Sequence, residues 1–273
     1  MKISGNMNTQ DADLARLHAR ARRLRRLRPA ALASFALGML AQRRIVEAEG
    51  MRVLIDPTTH LGDEILGTGT YEPETVRLFR ENLRPGDTML DIGANEGFFA
   101  ALAGSLVGAA GTVLAVEPQS RLHEVLEINL ALNTKGRTAI VKRVVGETDS
   151  ARHRIWLFPI SNTGASSLVS RYRFGAKSEE VREITPATIL RDAGLDRVDF
   201  VKIDVEGFEP EVVRALAPLM QAGKVGTLLL DYHAGILATR GIDPAETHAL
   251  VSGCGMQAAE GDVGRGYVLY KQA

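Results

Sequence analysis

The chain has 273 residues, of which 45% are hydrophobic, and its 33 basic and 33 acidic side chains cancel to a formal net charge of zero. This composition is typical of a globular protein that buries a sizeable core. Cys254 is the single cysteine. It excludes an internal disulfide and a zinc site built from several cysteines, and it fits the reducing cytoplasm, where we expect the protein to work.

The charge is unevenly distributed, because residues 1–28 carry a formal charge of +6 and the remainder carries −6. Leucine and alanine recur in this segment every three or four residues among arginines, which predicts a basic amphipathic helix. The uncharged run of residues 29–42 is shorter than the ~20 residues that a membrane span needs, and no clear signal-peptide cleavage site follows it. We therefore assign residues 1–45 to a basic helical extension packed on the domain, with contact to a membrane surface or to nucleic acid as alternatives.

Residues 46–273 are predicted to form one α/β domain. A short hairpin turns at Glu49 and Gly50, and strands alternate with helices from Thr88 onward. The pattern predicts a helix that begins near Glu96, another over residues 119–132, and a single strand in RTAIVKRVVG. An irregular section at residues 150–185 contains a β-prone segment, a polar loop and a basic patch. The chain then continues to a helix from Pro244 and two closing strands. Such alternation indicates a mostly parallel, doubly wound sheet with helices on both faces.

Acidic residues mark the carboxyl ends of four predicted strands, at Asp91, Glu117, Asp204 and Asp231. The carboxyl ends of parallel strands meet at one edge of a sheet, and ligands bind there beside the point where strand order reverses. The acids are therefore predicted to converge on one rim. Lys202 alternates with apolar neighbours in the third of these strands, so we expect it either to pair with a carboxylate or to be exposed.

A glycine loop, DIGANEG, follows the first of these strands and opens a helix. It departs from the G-x-G-x-x-G pattern of pyrophosphate binders, and Asp91 at its start would repel a diphosphate and attract a cation. Glu117, at the end of the next strand, is placed to accept both hydroxyls of a ribose. A nucleoside joined to a cationic amino acid describes S-adenosylmethionine, and Gly93 would let its methionine part approach the backbone.

The chain also contains five characteristic segments: GTYEPETVRLF, DIGANEGFFA, VEPQSRLHEVLEINLALN, SSL and VKIDVEGFEPEVV. In combination, from about Thr68 to His233, they resemble the FkbM family of S-adenosylmethionine-dependent methyltransferases, mostly O-methyltransferases of sugars, polyketides and other small molecules. The resemblance implies a Rossmann-like methyltransferase fold. The residues that it implies at the cofactor or at the border of its pocket are Tyr71, Glu72, Asp91, Gly93, Asn95, Gly97 and Glu117.

At two places the chain departs from the family pattern, and these departures limit which residue roles the resemblance implies. Asp231 stands where the family more often has glutamate, two places before a histidine. VVGETDS is a loose version of the usual segment after the third strand, so the resemblance names no adenine contact there.

Methyl transfer to a neutral alcohol is faster when the acceptor loses its proton during the attack. The candidates for this task are Asp204, Glu206, Asp231 and His233. We predict that Asp204, Glu206 and His233 are the catalytic residues, and His233 has the most suitable intrinsic pKa. A histidine bonded to the backbone at a strand end is the alternative for His233. Glu209 and Glu211 lie in the first turn of a helix, where acids are favoured by the helix dipole, and we assign them no chemistry.

Three alternatives concern the mechanism and the function. Asp204 and Asp231 would hold Mg²⁺ in a metal-dependent mechanism, but the resemblance does not support it and we predict no metal. An NAD-dependent oxidoreductase would share the fold but should carry G-x-G-x-x-G. A nucleic-acid-modifying methyltransferase would use the arginine-rich helix, but VEG replaces the Asn/Asp-Pro-Pro-aromatic segment of such enzymes. We therefore expect a small-molecule or glycan acceptor and no nucleic acid, with the basic loop Arg171–Lys177 either solvated or facing an anionic or glycosylated substrate.

Overall fold

A computed structural model describes residues 9–24, 42–157, 168 and 177–273. The apolar run before Gln42, the serine-rich loop before Leu168 and the basic patch before Lys177 lie outside the described residues. The chain divides into two compact units, and the boundary in the first half of the chain falls between Pro73 and Glu74. Among the described helices, none has both the length and the apolar character that crossing a membrane requires.

The first unit contains two helices and a two-stranded sheet: α1 (Thr9–Leu24), β1 (Arg44–Ala48), β2 (Met51–Ile55) and α2 (His60–Thr68). The predicted hairpin is confirmed, because β1 and β2 are antiparallel with Ala48 opposite Met51. Glu49 and Gly50 both have positive φ, 54° and 76°, as a two-residue hairpin turn of the primed type requires. The basic N-terminal segment is helical in α1 as predicted.

The second unit is built on a seven-stranded sheet. Its strands are β3 (Thr88–Ile92), β4 (Thr112–Val116), β5 (Arg137–Val141), β9 (Val198–Ile203), β10 (Val225–Asp231), β11 (Met256–Asp262) and β12 (Tyr267–Gln272). Their order is β11-β12-β10-β9-β3-β4-β5, and only the pairings of β12 are antiparallel. Every residue of β3 and β4 is buried, which requires cover on both faces of the sheet. The mostly parallel α/β architecture is confirmed.

Helices precede or connect the strands of the second unit along the chain. They are α3 (Pro73–Asn82), which the unit shares from Glu74 onward, α4 (Phe98–Val107), α5 (His123–Asn133), α6 (Pro186–Asp192), α7 (Glu209–Gln221), α8 (Ala234–Thr239) and α9 (Pro244–Gly253). Two predicted boundaries change: the helix expected near Glu96 begins at Phe98, and a short 3₁₀ turn precedes α5. The sequence analysis missed α2, α3, α6 and α8.

The section expected to be irregular contributes a small second sheet. β6 (Val144–Val145), β7 (Arg152–Trp156) and β8 (Ser178–Ile184) pair in the order β6-β8-β7. The segment RTAIVKRVVG, predicted as one strand, is therefore divided between two sheets, with β5 in the large sheet and β6 in the small one. The sequence SEEVREI of β8 is mostly charged, which hid this strand from an analysis of hydrophobic patterns.

The order of the large sheet reverses beside β3. The chain proceeds from β3 to β4 to β5 on one side and then returns to place β9 on the other, with Asp91 opposite Lys202. This reversal creates the crevice at the carboxyl ends of the strands where ligands bind in open α/β sheets.

Candidate active site

The glycine loop after β3 lies against the end of β9. Gly93 has a φ of +92°, and a Cβ atom added to it would lie 1.9 Å from the carbonyl oxygen of Asp204. The Asp204 N–H in turn donates to the carbonyl of Ile92, at 3.0 Å. Close contact with a neighbouring strand is therefore one reason for a glycine at position 93, and its predicted role beside the cofactor stays a prediction.

Glu117 and the glycine loop are in direct contact. The carboxylate of Glu117 is buried and accepts the N–H of Asn95 at 2.9 Å and the N–H of Gln119 at 2.8 Å. Burial raises the pKa of Glu117 to about 7, although these hydrogen bonds oppose the shift. The side chain of Gln119 also bonds to this carboxylate, which can accept about four hydrogen bonds in all, so it retains capacity for a hydroxyl.

The rest of the loop has the geometry of a tight strand-to-helix turn. Asn95 has a φ of +50°, and Gly97 has a φ of +84° immediately before α4. A Cβ on Gly97 would come within 2.5 Å of Leu126 in α5. The buried acid and this close-packed loop fit the ribose and the amino-acid part of S-adenosylmethionine, although the roles of Asp91, Gly93, Asn95, Gly97 and Glu117 stay predictions.

Tyr71 and Glu72 belong to the first unit. The ring of Tyr71 meets His60 edge to face, with centroids 6.1 Å apart. Glu72 has a φ of +44°, and its N–H donates to Glu64 at 3.2 Å. The predicted place of both residues beside a cofactor or substrate stays a prediction.

Lys202 is buried in β9, with 1% of its surface exposed. Its ammonium lies 2.9 Å from Asp204 Oδ2 and 3.7 Å from Asp231 Oδ2, and 5.0 Å from the centroid of the Phe99 ring. The alternative in which Lys202 pairs with a carboxylate is thus correct. A metal ion shared by Asp204 and Asp231 would have to displace this ammonium.

His233 follows β10 and gathers three carboxylates around its ring. Nδ1 donates to Glu209 Oε1 at 2.6 Å, while Nε2 lies 3.6 Å from both Asp204 Oδ1 and Glu206 Oε2. Glu206 has a left-handed backbone with a φ of +50°, a conformation that non-glycine residues adopt at a free-energy cost and that is concentrated at functional sites. The structure thus brings Asp204, Glu206 and His233 together, as the sequence predicts.

The electrostatics of this cluster differ from the intrinsic pKa values. Burial lowers the pKa of His233, but the hydrogen bond that its ring donates to Glu209 and the charges of Asp204 and Glu206 outweigh it and raise the pKa to about 9. Burial raises the pKa of Glu206 to about 7. Burial also opposes ionisation of Asp204, but Lys202 and His233 outweigh it and hold the pKa of Asp204 below its ordinary value. At neutral pH His233 is thus an imidazolium, and Glu206 is close to its titration midpoint.

Glu209 is the residue that the sequence analysis missed. It was interpreted as a first-turn acid without chemistry, yet its side chain is fully buried and accepts from Gly207 and from His233. Glu211 in the same turn pairs with Arg240 and Arg214, as expected of a structural acid. No local signal separates the two glutamates, because His233 is 24 residues from Glu209 along the chain.

An acid-lined rim at the reversal point of a doubly wound sheet, with a glycine loop bound to a buried glutamate that follows the next strand, is typical of an α/β enzyme that binds a nucleoside cofactor. The chain belongs to the FkbM methyltransferase family, whose methyltransferase FkbM domain matches residues 91–233. This match confirms the resemblance seen in the sequence motifs, and with it the fold class, methyl transfer and S-adenosylmethionine as the cofactor.

The individual proteins to which the chain is similar have low sequence identity to it. The chain is 24% identical over 181 residues to the hexuronic acid methyltransferase AglP of Haloferax volcanii, in an alignment that covers 66% of this chain and 68% of that protein. Among solved structures, Aeropyrum pernix fibrillarin with bound S-adenosyl-L-methionine is 13% identical, with 84% of this chain and 81% of that chain covered and a TM-score of 0.43. A putative rRNA-methylase from Clostridium thermocellum is 15% identical, with coverages of 74% and 95% and a TM-score of 0.43.

Proposed function

We propose that the protein methylates a hydroxyl oxygen of a sugar or a related small molecule, with hexuronic acids as the first acceptor class to test. One observation carries the proposal: Nε2 of His233 faces Asp204 and Glu206 at 3.6 Å and, among the described residues, makes no hydrogen bond. Such a distance is too long for a hydrogen bond between the groups themselves. The similarity to a hexuronic acid methyltransferase supports the acceptor class.

A hydroxyl group matches this gap because it donates and accepts at once. An oxygen about 2.8 Å from both atoms can accept from His233 Nε2 and donate to Glu206, given their separation of 3.6 Å. Glu206 then takes the proton, since a base with a pKa near the working pH is the most effective. The His233 imidazolium stabilises the negative charge that develops on the acceptor oxygen.

Bound S-adenosylmethionine supplies the electrophilic methyl group. We assign Glu117 and the loop from Asp91 to Gly97 to its binding, because the buried carboxylate accepts hydrogen bonds at the end of β4 and the loop closes on it. Asp204 stays ionised beside Lys202 and is a poor base, so its role is to orient the acceptor.

The charges of the rim favour a hydroxyl over a carboxylate as the attacking group. Asp204, Glu206, Glu209 and Asp231 supply four carboxyl groups against the cations of Lys202 and His233, so a further carboxylate would be repelled. The product expected from a hexuronic acid is therefore a methyl ether that survives alkali, and not a methyl ester that alkali hydrolyses.

The test uses the purified chain with S-adenosylmethionine and a panel of glucuronic acid, galacturonic acid, their methyl glycosides and the neutral sugars. Chromatography measures S-adenosylhomocysteine, and mass spectrometry before and after alkali distinguishes ether from ester. Cofactor binding without turnover on any sugar would reject the acceptor class. An alkali-labile product would reject the role given to Glu206.

We also propose that the acceptor is free of nucleic acid and that the reaction takes place in the cytoplasm. In α1, His18 lies 2.7 Å and Arg22 lies 3.6 Å from Asp63, so part of the basic face is used within the first unit. Retention of the chain on RNA at high salt would contradict the first statement.

A further inference from the structure

Glu209 is buried more completely than its position at a helix start requires. Its side chain is fully buried, and among the described residues Oε2 makes no hydrogen bond, while Oε1 accepts from Gly207 at 2.9 Å and from His233 at 2.6 Å. Burying a carboxylate costs free energy unless a partner compensates for it. Glu211 gains the same helix-dipole stabilisation while pairing with Arg240 near the surface, so the dipole alone does not explain Glu209.

The bond to Glu209 also sets the orientation of the His233 ring. A carboxylate only accepts hydrogen bonds, so Nδ1 carries the hydrogen and Nε2 is directed at Asp204 and Glu206. Without Glu209, the ring could rotate about its side-chain bonds or lose its proton, and either change would remove the donor from the rim.

The charged groups around His233 come from three elements of the sheet and its connections. Asp204 and Glu206 follow β9, and Glu209 begins α7. Lys202 in β9 lies behind Asp204, and Asp231 ends β10. Among the described residues, Glu209 is the one group of this set within hydrogen-bond distance of the ring, so it contributes most to keeping His233 protonated.

We propose that Glu209 is a positioning residue that holds His233 as a fixed hydrogen-bond donor, with Nε2–H presented to the oxygen of the acceptor. His233 is then a donor to the acceptor oxygen and not the base of the reaction. This inference rests on the proposed function, because it names the group that the acceptor oxygen meets.

The decisive variant is Glu209→Gln, which keeps the shape of the side chain and removes its charge. Glu211→Gln, in the same helical turn, is the matched control. The first measurement needs no acceptor: nitrogen-detected NMR titration of the His233 ring in the full chain. We expect His233 to titrate near pH 9 in the wild type and in Glu211→Gln, and at least one pH unit lower in Glu209→Gln.

The second measurement is turnover on an acceptor found with the sugar panel. Glu209→Gln should lower turnover about 10- to 100-fold at pH 7.5, because a misplaced donor no longer meets the developing charge. It should also move the alkaline limb of the pH profile to lower pH, with cofactor affinity within about twofold of the wild type. Glu211→Gln should leave both properties unchanged.

Two outcomes would overturn the inference. One is a wild-type His233 that titrates near its ordinary value, a result that stands even if Glu209→Gln fails to fold. The other is a folded Glu209→Gln with unchanged turnover and pH profile, which would leave the proposed function intact. A failure to find any sugar acceptor would count against the proposed function and leave the NMR result to decide the orientation of His233.

Discussion

Among its described residues, the second unit contains two pairs of a buried glutamate and a partly buried histidine, in different surroundings. At the rim, Glu209 accepts from Nδ1 of His233, and two further carboxylates lie 3.6 Å from Nε2. In the small sheet, Glu183 of β8 pairs with Nε2 of His153 in β7. Among the described residues, His153 meets no second carboxylate, and its ring and that of Phe208 meet edge to face, with centroids 5.5 Å apart.

The two pairs differ in which of their polar atoms lack a hydrogen-bond partner. Both oxygens of Glu183 are hydrogen-bonded, one to His153 and one to the N–H and hydroxyl of Thr148 at 2.6 and 3.1 Å. Burial raises the pKa of Glu183, but these bonds outweigh it and leave the pKa below its ordinary value. Such a pair fastens β8 to its neighbours. The rim pair instead presents a charged donor beside excess carboxylates, an arrangement that perturbs several pKa values at once and is typical of functional sites.

The largest effect on turnover is expected from substituting the two further carboxylates that lie beside the rim pair. Asp204→Asn and Glu206→Gln should each lower turnover by roughly 10²- to 10⁴-fold, the loss expected when a proton acceptor or its partner is removed. Cofactor affinity, measured by calorimetry, should change far less. If both variants turn over at the wild-type rate, the rim cluster is structural and the distinction between the two pairs disappears.

A third buried glutamate, Glu117, allows cofactor binding to be tested separately from the methyl-transfer step. Glu117→Ala should weaken S-adenosylmethionine binding by about 2 to 4 kcal/mol, because two charge-assisted hydrogen bonds to the ribose are lost while the fold persists. Calorimetry measures this affinity, and circular dichroism checks the fold. An unchanged affinity would remove Glu117 from the cofactor site.

The pH dependence of turnover should reflect the two shifted groups of the rim. Glu206 must be ionised to take a proton, so the rate should rise as pH increases through about 7. His233 must be protonated to donate, so the rate should fall again as pH passes about 9. Initial rates from pH 5.5 to 10 test this bell shape, and a profile that is flat across pH 7 would contradict the role of Glu206.

The free energy of unfolding should reflect the cost of ionising the partly buried carboxyl group of Glu206. The fold raises the pKa of Glu206 from an ordinary 4.5 to about 7, so the cost of ionising it grows as the pH rises from the unfolded to the folded pKa, is complete above the folded pKa, and vanishes below the unfolded one. Glu206→Gln should therefore raise Tm by roughly 2–5 °C at pH 8 and leave it nearly unchanged at pH 4.5. Scanning calorimetry at both values checks the sign; a lower Tm at pH 8 would argue against the shift.

The smallest effect on turnover is expected from the pair in the small sheet. Glu183→Gln keeps the shape of the side chain but weakens its bonds to His153 and Thr148, so it should cost about 1–3 kcal/mol of stability in denaturant unfolding. Turnover of the folded variant should stay within about twofold of the wild type. A large loss of turnover with normal stability would mean that the two pairs share the chemistry.

Local patterns in the sequence predicted the parts of the fold that depend on neighbouring residues. The turn at Glu49 and Gly50, the apolar strands β3 and β4, and the acids that end the central strands all follow from residue type and spacing. The short helices α6 and α8 and the charged strand β8 were missed, because six or seven residues give too little periodicity and β8 lacks an apolar pattern.

The sequence by itself determined which acids stand at the strand ends, since a strand's carboxyl end is a local property. Only the tertiary structure decided their chemistry. The crossover from β9 through α7 to β10 brings Glu209 to His233 over 24 residues and places Lys202 beside Asp204. Burial then raises the pKa of Glu206, while the neighbouring carboxylates raise the pKa of His233 against the effect of burial, so that the carboxyl group becomes the better base at neutral pH. Desolvation and charge pairing depend on distances in space, and the order of residues along the chain does not contain them.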